Sequence, residues 1–337
     1  MTEDGLTYAA AGVDTEAADL ALAKAKGMIT ATHGARVLGG VGGFSGLFDL
    51  AGLGRDPVLA ASADGVGTKL LVAQAMGRHD TVGIDLVAMV VDDLVVVGAR
   101  PLFLLDYIAI GRVDPDLVAA LVGGVAKGCE LARCALLGGE TAEHPDAMEP
   151  GHYDLAGFGV GVVERDRLLG PERVRAGDVL VGLDSSGLHS NGYSLVRRAL
   201  ATAGIGYDDH VEELGGTVGE ALLTPTRIYA ADLLDLLDDG IGVSALCHVT
   251  GGGLPGNITR CLPAGLIARI DYSSWDPPAI FGLVRDAGRV ADTELAHALN
   301  LGIGMVAVLP ADQADRAVRF LTGRGAGARV IGEVVAG

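Results

Sequence analysis

Apolar residues fall into short extended runs and helical stripes, separated by connections rich in Gly, Pro and Asp. In the first half, apolar runs near 57–63, 102–110, 134–138 and 153–163 predict strands, and a 3.6-residue period near 14–30, 82–97 and 115–132 predicts helices. Asp114 followed by Pro115 offers an N-cap and a first-turn residue for the last of these. A charged connection carrying Pro and Gly, 164–177, marks a change of character and predicts two domains, 1–168 and 169–337. The second half alternates: strand 178–184, helices 191–203 and 225–238, strands 243–248 and 265–271, helices 277–287 and 292–299, strand 303–309, helix 312–322 and strand 328–335. Such alternation predicts helices layered on a sheet, an α/β or α+β arrangement.

Acids interrupt several of the apolar segments. The predicted helix 82–97 is apolar nearly all round, which marks it as buried, yet it carries Asp85, Asp92 and Asp93. An unpaired buried carboxylate costs several kcal/mol, so cations or hydrogen bonds must meet these groups. Asp85 and Asp92 are seven residues apart and share a face, whereas Asp93 points about 100° away from Asp92, so the three are expected to do different jobs: local pairing or capping for some, a metal for another. Asp106, inside the strand Leu102-Phe-Leu-Leu-Asp-Tyr, raises the same question.

The densest chemistry lies at Ser62-Ala-Asp-Gly-Val-Gly-Thr-Lys69. An extended run that ends at a carboxylate, turns through two glycines and delivers a lysine suits phosphate held together with a metal. Asp64 can ligate Mg²⁺, Gly65 and Gly67 let backbone N–H groups approach an anion beside Thr68, and Lys69 adds a point charge. The order differs from a Walker A loop, and a plain strand-to-helix turn is the alternative. The run Leu38-Gly-Gly-Val-Gly-Gly-Phe44 could close over phosphates or serve as a linker, and Gly138-Gly-Glu-Thr141 turns at a strand end where Glu140 could reach a ligand. In the second half, Ser185-Ser-Gly-Leu-His-Ser-Asn-Gly-Tyr-Ser194 opens a helix, with Ser190 or Asn191 a natural N-cap and His189 a hydrogen-bonding or proton-carrying group. Cys247-His-Val-Thr-Gly-Gly-Gly-Leu-Pro255 repeats the device, ending a strand at His248 before a triple-Gly turn and a helix start at Pro255. Each pair of turns could also be a structural βα loop.

Composition narrows the classes. Half the residues are hydrophobic and 20% charged, as in a globular protein with ample core, and 52 glycines promise many turns. A formal charge of −18 argues against a nucleic-acid partner. The longest apolar stretch, Leu86 to Val97, contains two acids and is too short to span a bilayer, so no membrane role is expected. Four cysteines without C-x-x-C spacing and no secretory leader predict a reducing, cytoplasmic setting.

These motifs together resemble the phosphoribosylformylglycinamidine cyclo-ligase (aminoimidazole ribonucleotide synthetase) family almost end to end. The resemblance is carried by Tyr8-Ala-Ala-Ala-Gly-Val-Asp14, Gly39-Gly-Val-Gly-Gly-Phe44, Asp64-Gly-Val-Gly-Thr-Lys69, Arg78 to Met89, Gly138-Gly-Glu-Thr-Ala-Glu143, Tyr153 to Phe158, Ser185 to Ser194, Pro225-Thr-Arg-Ile-Tyr229, His248-Val-Thr-Gly-Gly-Gly253, Ser273-Ser-Trp275 and Asn300 to Met305. Asp92 stands where the family pattern leads one to expect Asn.

The resemblance implies an α+β, two-domain ATP-dependent synthetase fold. Its N-terminal mixed sheet with helices would bind ATP and Mg²⁺ and pair in a homodimer, and its C-terminal α/β layer domain would contribute to the substrate site. The implied reaction is ATP-dependent cyclisation of formylglycinamidine ribonucleotide to aminoimidazole ribonucleotide, with release of ADP and phosphate, in purine biosynthesis. Asp64, Asp93 and Glu140 would hold Mg²⁺, while Gly39, Gly40, Gly42, Gly43, Gly65, Gly67, Thr68, Lys69, Gly138, Gly139, Glu140 and Thr141 would surround ATP. Ser190, Asn191, Thr250, Gly251 and Gly252 would bind the ribonucleotide, with His189 and His248 handling protons alongside Asp64, Lys69 and Asp93 in catalysis. A thiamine monophosphate kinase-like or selenophosphate synthetase-like phosphotransfer enzyme, or a non-catalytic nucleotide-binding module, are the alternative readings.

Overall fold

The computed structural model describes residues 15–38, 40, 41 and 46–337; Gly39, Gly42 and Gly43 lie outside the described residues. Two sheets organise the chain. The first has the strand order Pro57–Gly65, Tyr153–Glu164, Arg100–Ile110, Ala135–Glu143; its first two pairings are antiparallel and the last is parallel. The second, antiparallel throughout, runs Ala245–His248, Ile303–Leu309, Val179–Asp184, Ala328–Ala336, Leu266–Ile270. The connection between them carries two short 3-10 turns, Arg165–Arg167 and Pro171–Arg173.

Alternation sets the two faces of the first sheet. In Arg100–Ile110 the residues Leu104, Ile108 and Ile110 are buried, while Phe103 and Tyr107 point the other way. The buried face packs on helix Val82–Val95, which in turn packs on Pro115–Ala132 and on Ala230–Asp238 of the second half. Being covered on all sides explains why Val82–Val95 is apolar nearly all round: Leu86, Val87, Val90, Val91, Leu94 and Val95 are at most 1% exposed. Each such side chain contributes about 1.5–3 kcal/mol by leaving water. The two helices meet closely because a Cβ on Gly83 would lie 2.2 Å from the Val125 backbone nitrogen, so a larger residue there would force them apart. As Asp114-Pro115 predicts, Pro115–Ala132 is capped by Asp114, whose Oδ1 accepts from the N–H groups of Asp116 and Leu117.

The opposite face of the sheet is open and apolar, with Leu59 58%, Phe158 44% and Tyr107 41% exposed. Glu140 lies on this face, in the register row Gly65, Ala156, Tyr107, Glu140.

The helix predicted over 225–238 begins later, at Ala230. Pro225 has no N–H to give, and the N–H groups of Tyr229 and Ala230 are taken by Asp92 from the first half, so a tertiary contact sets the start of the helix. No helix among the described residues is long and apolar enough to cross a membrane.

Candidate active site

The strand Pro57–Gly65 delivers Asp64 to the buried face of the first sheet, in a row with Gly157, Asp106 and Gly139. Asp64 Oδ1 accepts from the Gly65 N–H at 2.7 Å. Half-burial raises its pKa, the Gly65 bond lowers it, the neighbouring Asp93 raises it again and His248 lowers it. The two carboxylates therefore share one locus. Asp93 is 46% exposed, and its Oδ1 lies 2.9 Å from His248 Nδ1, the His248 side chain being only 3% exposed. An ionised carboxylate only accepts, so Nδ1 of His248 donates. This leaves His248 Nε2, buried and without a protein partner, as the free basic atom.

His189 arrives from the second half with φ +63°, a left-handed conformation that costs a non-Gly residue about 1–2 kcal/mol. Its Nε2 accepts from the Ser186 N–H at 3.2 Å, which places the ring proton on Nδ1, buried and unpartnered. Burial pushes its pKa well below the usual range, so the ring is neutral. The ring packs against Gly304, where a Cβ would stand 2.4 Å from its Cε1. Gly304 sits at the register shift of Ile303–Leu309 against Val179–Asp184, next to Met305, the residue that pairs with His248.

Around these groups the turns of the two halves interlock. Thr68 Oγ1 lies 3.1 Å from Ser194 Oγ, and a Cβ on Gly251 would be 3.7 Å from Asn191 Oδ1. Ser190 Oγ is buried and unbonded, as a hydroxyl awaiting a ligand would be. Asn257 fixes the 250–253 turn through three bonds from Nδ2, to the carbonyls of Thr250 (3.3 Å), Gly251 (3.1 Å) and Gly253 (2.8 Å). Sequence reasoning passes over Asn257, since an Asn in a short helix has no distinctive spacing.

Four sequence expectations need correction. Lys69 does not offer an exposed charge to phosphate. Its Nζ is fully buried and donates to Asp85 Oδ1 (2.8 Å), the His189 carbonyl (3.1 Å) and the Thr224 carbonyl (2.7 Å), three acceptors for the three N–H bonds of an ammonium. Burial pushes Lys69 down and Asp85 up, and their contact opposes both shifts.

Glu140 does not join Asp64 and Asp93. With Gly138, Gly139 and Thr141 it belongs to the strand Ala135–Glu143, three strand spacings or roughly 14 Å from Pro57–Gly65, and it points to the other face. Among the described residues no group of three or more His, Cys, Asp or Glu side chains is placed to hold a metal.

Neither Ser190 nor Asn191 caps the Tyr193–Ala203 helix; Gly192 does, at φ +74° and with no side-chain bond, which leaves Ser190 Oγ unbonded, while Asn191 Nδ2 donates to Met89 Sδ at 3.6 Å. Likewise Gly252, not Pro255, precedes the Gly253–Ile258 helix.

The three helix acids separate as their angular spacing predicts. Asp85 also accepts from Thr226 N (2.8 Å) and Oγ1 (2.5 Å), and Asp92 Oδ1 accepts from Tyr229 N and Ala230 N at 2.9 Å each, so both grip the 224–230 segment. Only Asp93 is exposed, and it meets His248.

Two sheet-and-helix halves that meet where Asp93 bonds His248 make an α+β, two-domain architecture, and comparison with known proteins gives its family. The family model "AIR synthase related protein, N-terminal domain" matches residues 46–163, and its C-terminal counterpart matches 175–337. A phosphoribosylformylglycinamidine cyclo-ligase of Sorangium cellulosum is 54% identical over 98% of this chain and 95% of its own length. One from Pseudothermotoga lettingae is 49% identical over 99% of this chain and 98% of its own length. Among solved structures, thiamine-monophosphate kinase from Stenotrophomonas maltophilia K279a shares the fold at a TM-score of 0.67 and 20% identity, covering 94% of both chains. The chain belongs to the phosphoribosylformylglycinamidine cyclo-ligase family.

Proposed function

We infer that this protein closes the imidazole ring of a purine precursor: formylglycinamidine ribonucleotide and ATP give aminoimidazole ribonucleotide, ADP and phosphate. The observation that carries this reading is the 54% identity to a cyclo-ligase over 98% of the chain; Asp93 bonded to His248, with Asp64 close enough to feel both charges, supports it.

An amide oxygen is a poor leaving group. Transfer of the γ-phosphoryl group to the formyl oxygen makes it a good one; the ribose-bearing amidine nitrogen then bonds to the formyl carbon, the carbon–oxygen bond breaks, and phosphate leaves. His248 Nε2, oriented by Asp93 through Nδ1, would take the proton that the attacking nitrogen sheds. His189 Nδ1–H would donate to an oxygen of the substrate, and Ser190, Asn191, Thr250, Gly251 and Gly252 would bind the ribonucleotide. Gly40, Gly65, Gly67 and Thr68 would lie along the ATP phosphates. Positioning and charge neutralisation then supply most of the rate, as in phosphoryl transfer generally.

Asp64 and Asp93 fit Mg²⁺, because two hard carboxylates, one raised in pKa chiefly by burial and further by the other's charge, gain most from a divalent cation that also takes phosphate oxygens. Bound there, the ion would neutralise charge on the phosphates.

The exposed face of the first sheet, with Leu59, Tyr107 and Phe158, supports a homodimer in which a second copy covers it, Glu140 included. Four buried cysteines without a disulfide fit a cytoplasmic setting.

The deciding assay compares ATP consumption with formylglycinamidine ribonucleotide and with thiamine monophosphate. Turnover with the first only supports the reading; turnover with the second only replaces it with a kinase.

A further inference from the structure

We propose that Lys69 and Asp85 form a latch that couples the ATP half of the cleft to the ribonucleotide half, Lys69 being a positioning residue that never touches phosphate. Lys69 belongs to the 64–69 turn, yet its ammonium is fully buried, and two of its three bonds beyond that turn end on carbonyls of the second half. One of these carbonyls is that of His189, the residue whose left-handed backbone opens the turn carrying Ser190 and Asn191. Asp85 completes the latch by taking both the N–H and the hydroxyl of Thr226, two residues beyond the Thr224 carbonyl that Lys69 holds.

A left-handed histidine persists only where its surroundings over-determine it. Here two contacts do so: Lys69 on its carbonyl, and the Ser186 N–H on its ring. Thr68 against Ser194, in the helix that follows the 186–192 turn, adds a second link from the 64–69 turn to that segment. Loosening the latch would therefore let the 186–192 turn relax and misplace the ribonucleotide, while the Asp64 to Thr68 backbone that would face ATP keeps its shape.

This inference rests on the assignment of ATP to the first half and the ribonucleotide to the second. The test uses Asp85→Asn, Thr226→Val and Lys69→Met, singly, plus the Lys69→Met/Asp85→Asn pair. Thr226→Val leaves the ion pair intact and serves as the variant that folds if a half-removed ion pair does not.

Expected are a rise of about tenfold or more in KM for formylglycinamidine ribonucleotide, affinity for a non-hydrolysable ATP analogue within about twofold of wild type, and a double variant no worse than its worse parent. Faster amide hydrogen exchange across 186–192 in the ligand-free protein should accompany them.

Loss of ATP-analogue affinity in Lys69→Met but not in Asp85→Asn would overturn the proposal and return Lys69 to the phosphates. A lowered melting temperature with unchanged exchange and unchanged KM would overturn it as well, leaving only a structural ion pair. The exchange measurement involves no ligand. If exchange accelerates while the ATP analogue, and not the ribonucleotide, loses affinity, the latch stands and the assignment of ligands to halves fails.

Discussion

Asp93 Oδ1 and His248 Nδ1 stand 2.9 Å apart although 155 residues separate them, and the contact joins a first-half helix to the end of a second-half strand. It is the only bond through which one of the three helix acids reaches a group with a free, buried basic atom, His248 Nε2, among the described residues. Removing the Asp93 charge should therefore injure chemistry more than folding, since its side chain is 46% exposed. Asp93→Asn is expected to lower kcat at least about a hundredfold, with circular dichroism unchanged. A kcat within about threefold of wild type would remove Asp93 from the reaction.

Asp92, its sequence neighbour, should behave differently. Asp92→Asn keeps Oδ1 and with it the cap on Tyr229 and Ala230, so activity should stay within about threefold of wild type. Asp92→Ala strands both N–H groups in the interior and should cost about 1–2 kcal/mol in urea unfolding. Equal losses of activity in Asp92→Asn and Asp93→Asn would point to a wider carboxylate cluster.

Asp106 gives a pH signature. Burial pushes its pKa up to about 7. Between its ordinary value near 3.8 and about 7 the folded protein holds a proton that the unfolded chain has lost, so this group's contribution to stability falls as pH rises through that window. Asp106→Asn cannot ionise. Its melting temperature relative to wild type should rise from pH 4 to pH 8, and a difference that stays flat over that range would refute the buried, neutral assignment.

The open sheet face predicts association. Leu59→Asp with Phe158→Asp places charge on two side chains that are 58% and 44% exposed in the single chain, so the substitutions should leave the fold intact. Light scattering should show a dimer for wild type and a monomer for the variant at micromolar concentration. A monomeric wild type would count against the dimer.

Ser190→Ala with Asn191→Ala should raise KM for the ribonucleotide while KM for ATP stays near wild type, because binding energy is lost on one ligand only. A rise confined to ATP would show that the ligands occupy the opposite halves of the cleft.

Local chemistry made much of this molecule legible in the chain itself. Alternating apolar positions define Arg100–Ile110 and Tyr153–Glu164, Asp114-Pro115 starts its helix as written, and the angular spacing of Asp85, Asp92 and Asp93 separates one solvent-facing acid from two buried ones. Residue types at fixed spacing suffice there, because hydrogen bonds and burial within an element depend on neighbours along the chain. What only the tertiary structure decided is where charge ends up. Lys69 reads as a phosphate ligand until the second half brings Asp85, His189 and Thr224 around its ammonium, and Glu140 reads as a metal ligand until strand order carries it across the sheet to the opposite face. The start of Ala230–Asp238 depends likewise on Asp92, 137 residues away. A charge takes its partner from whatever folding places within a few ångströms of it, and that distance is not written in sequence spacing.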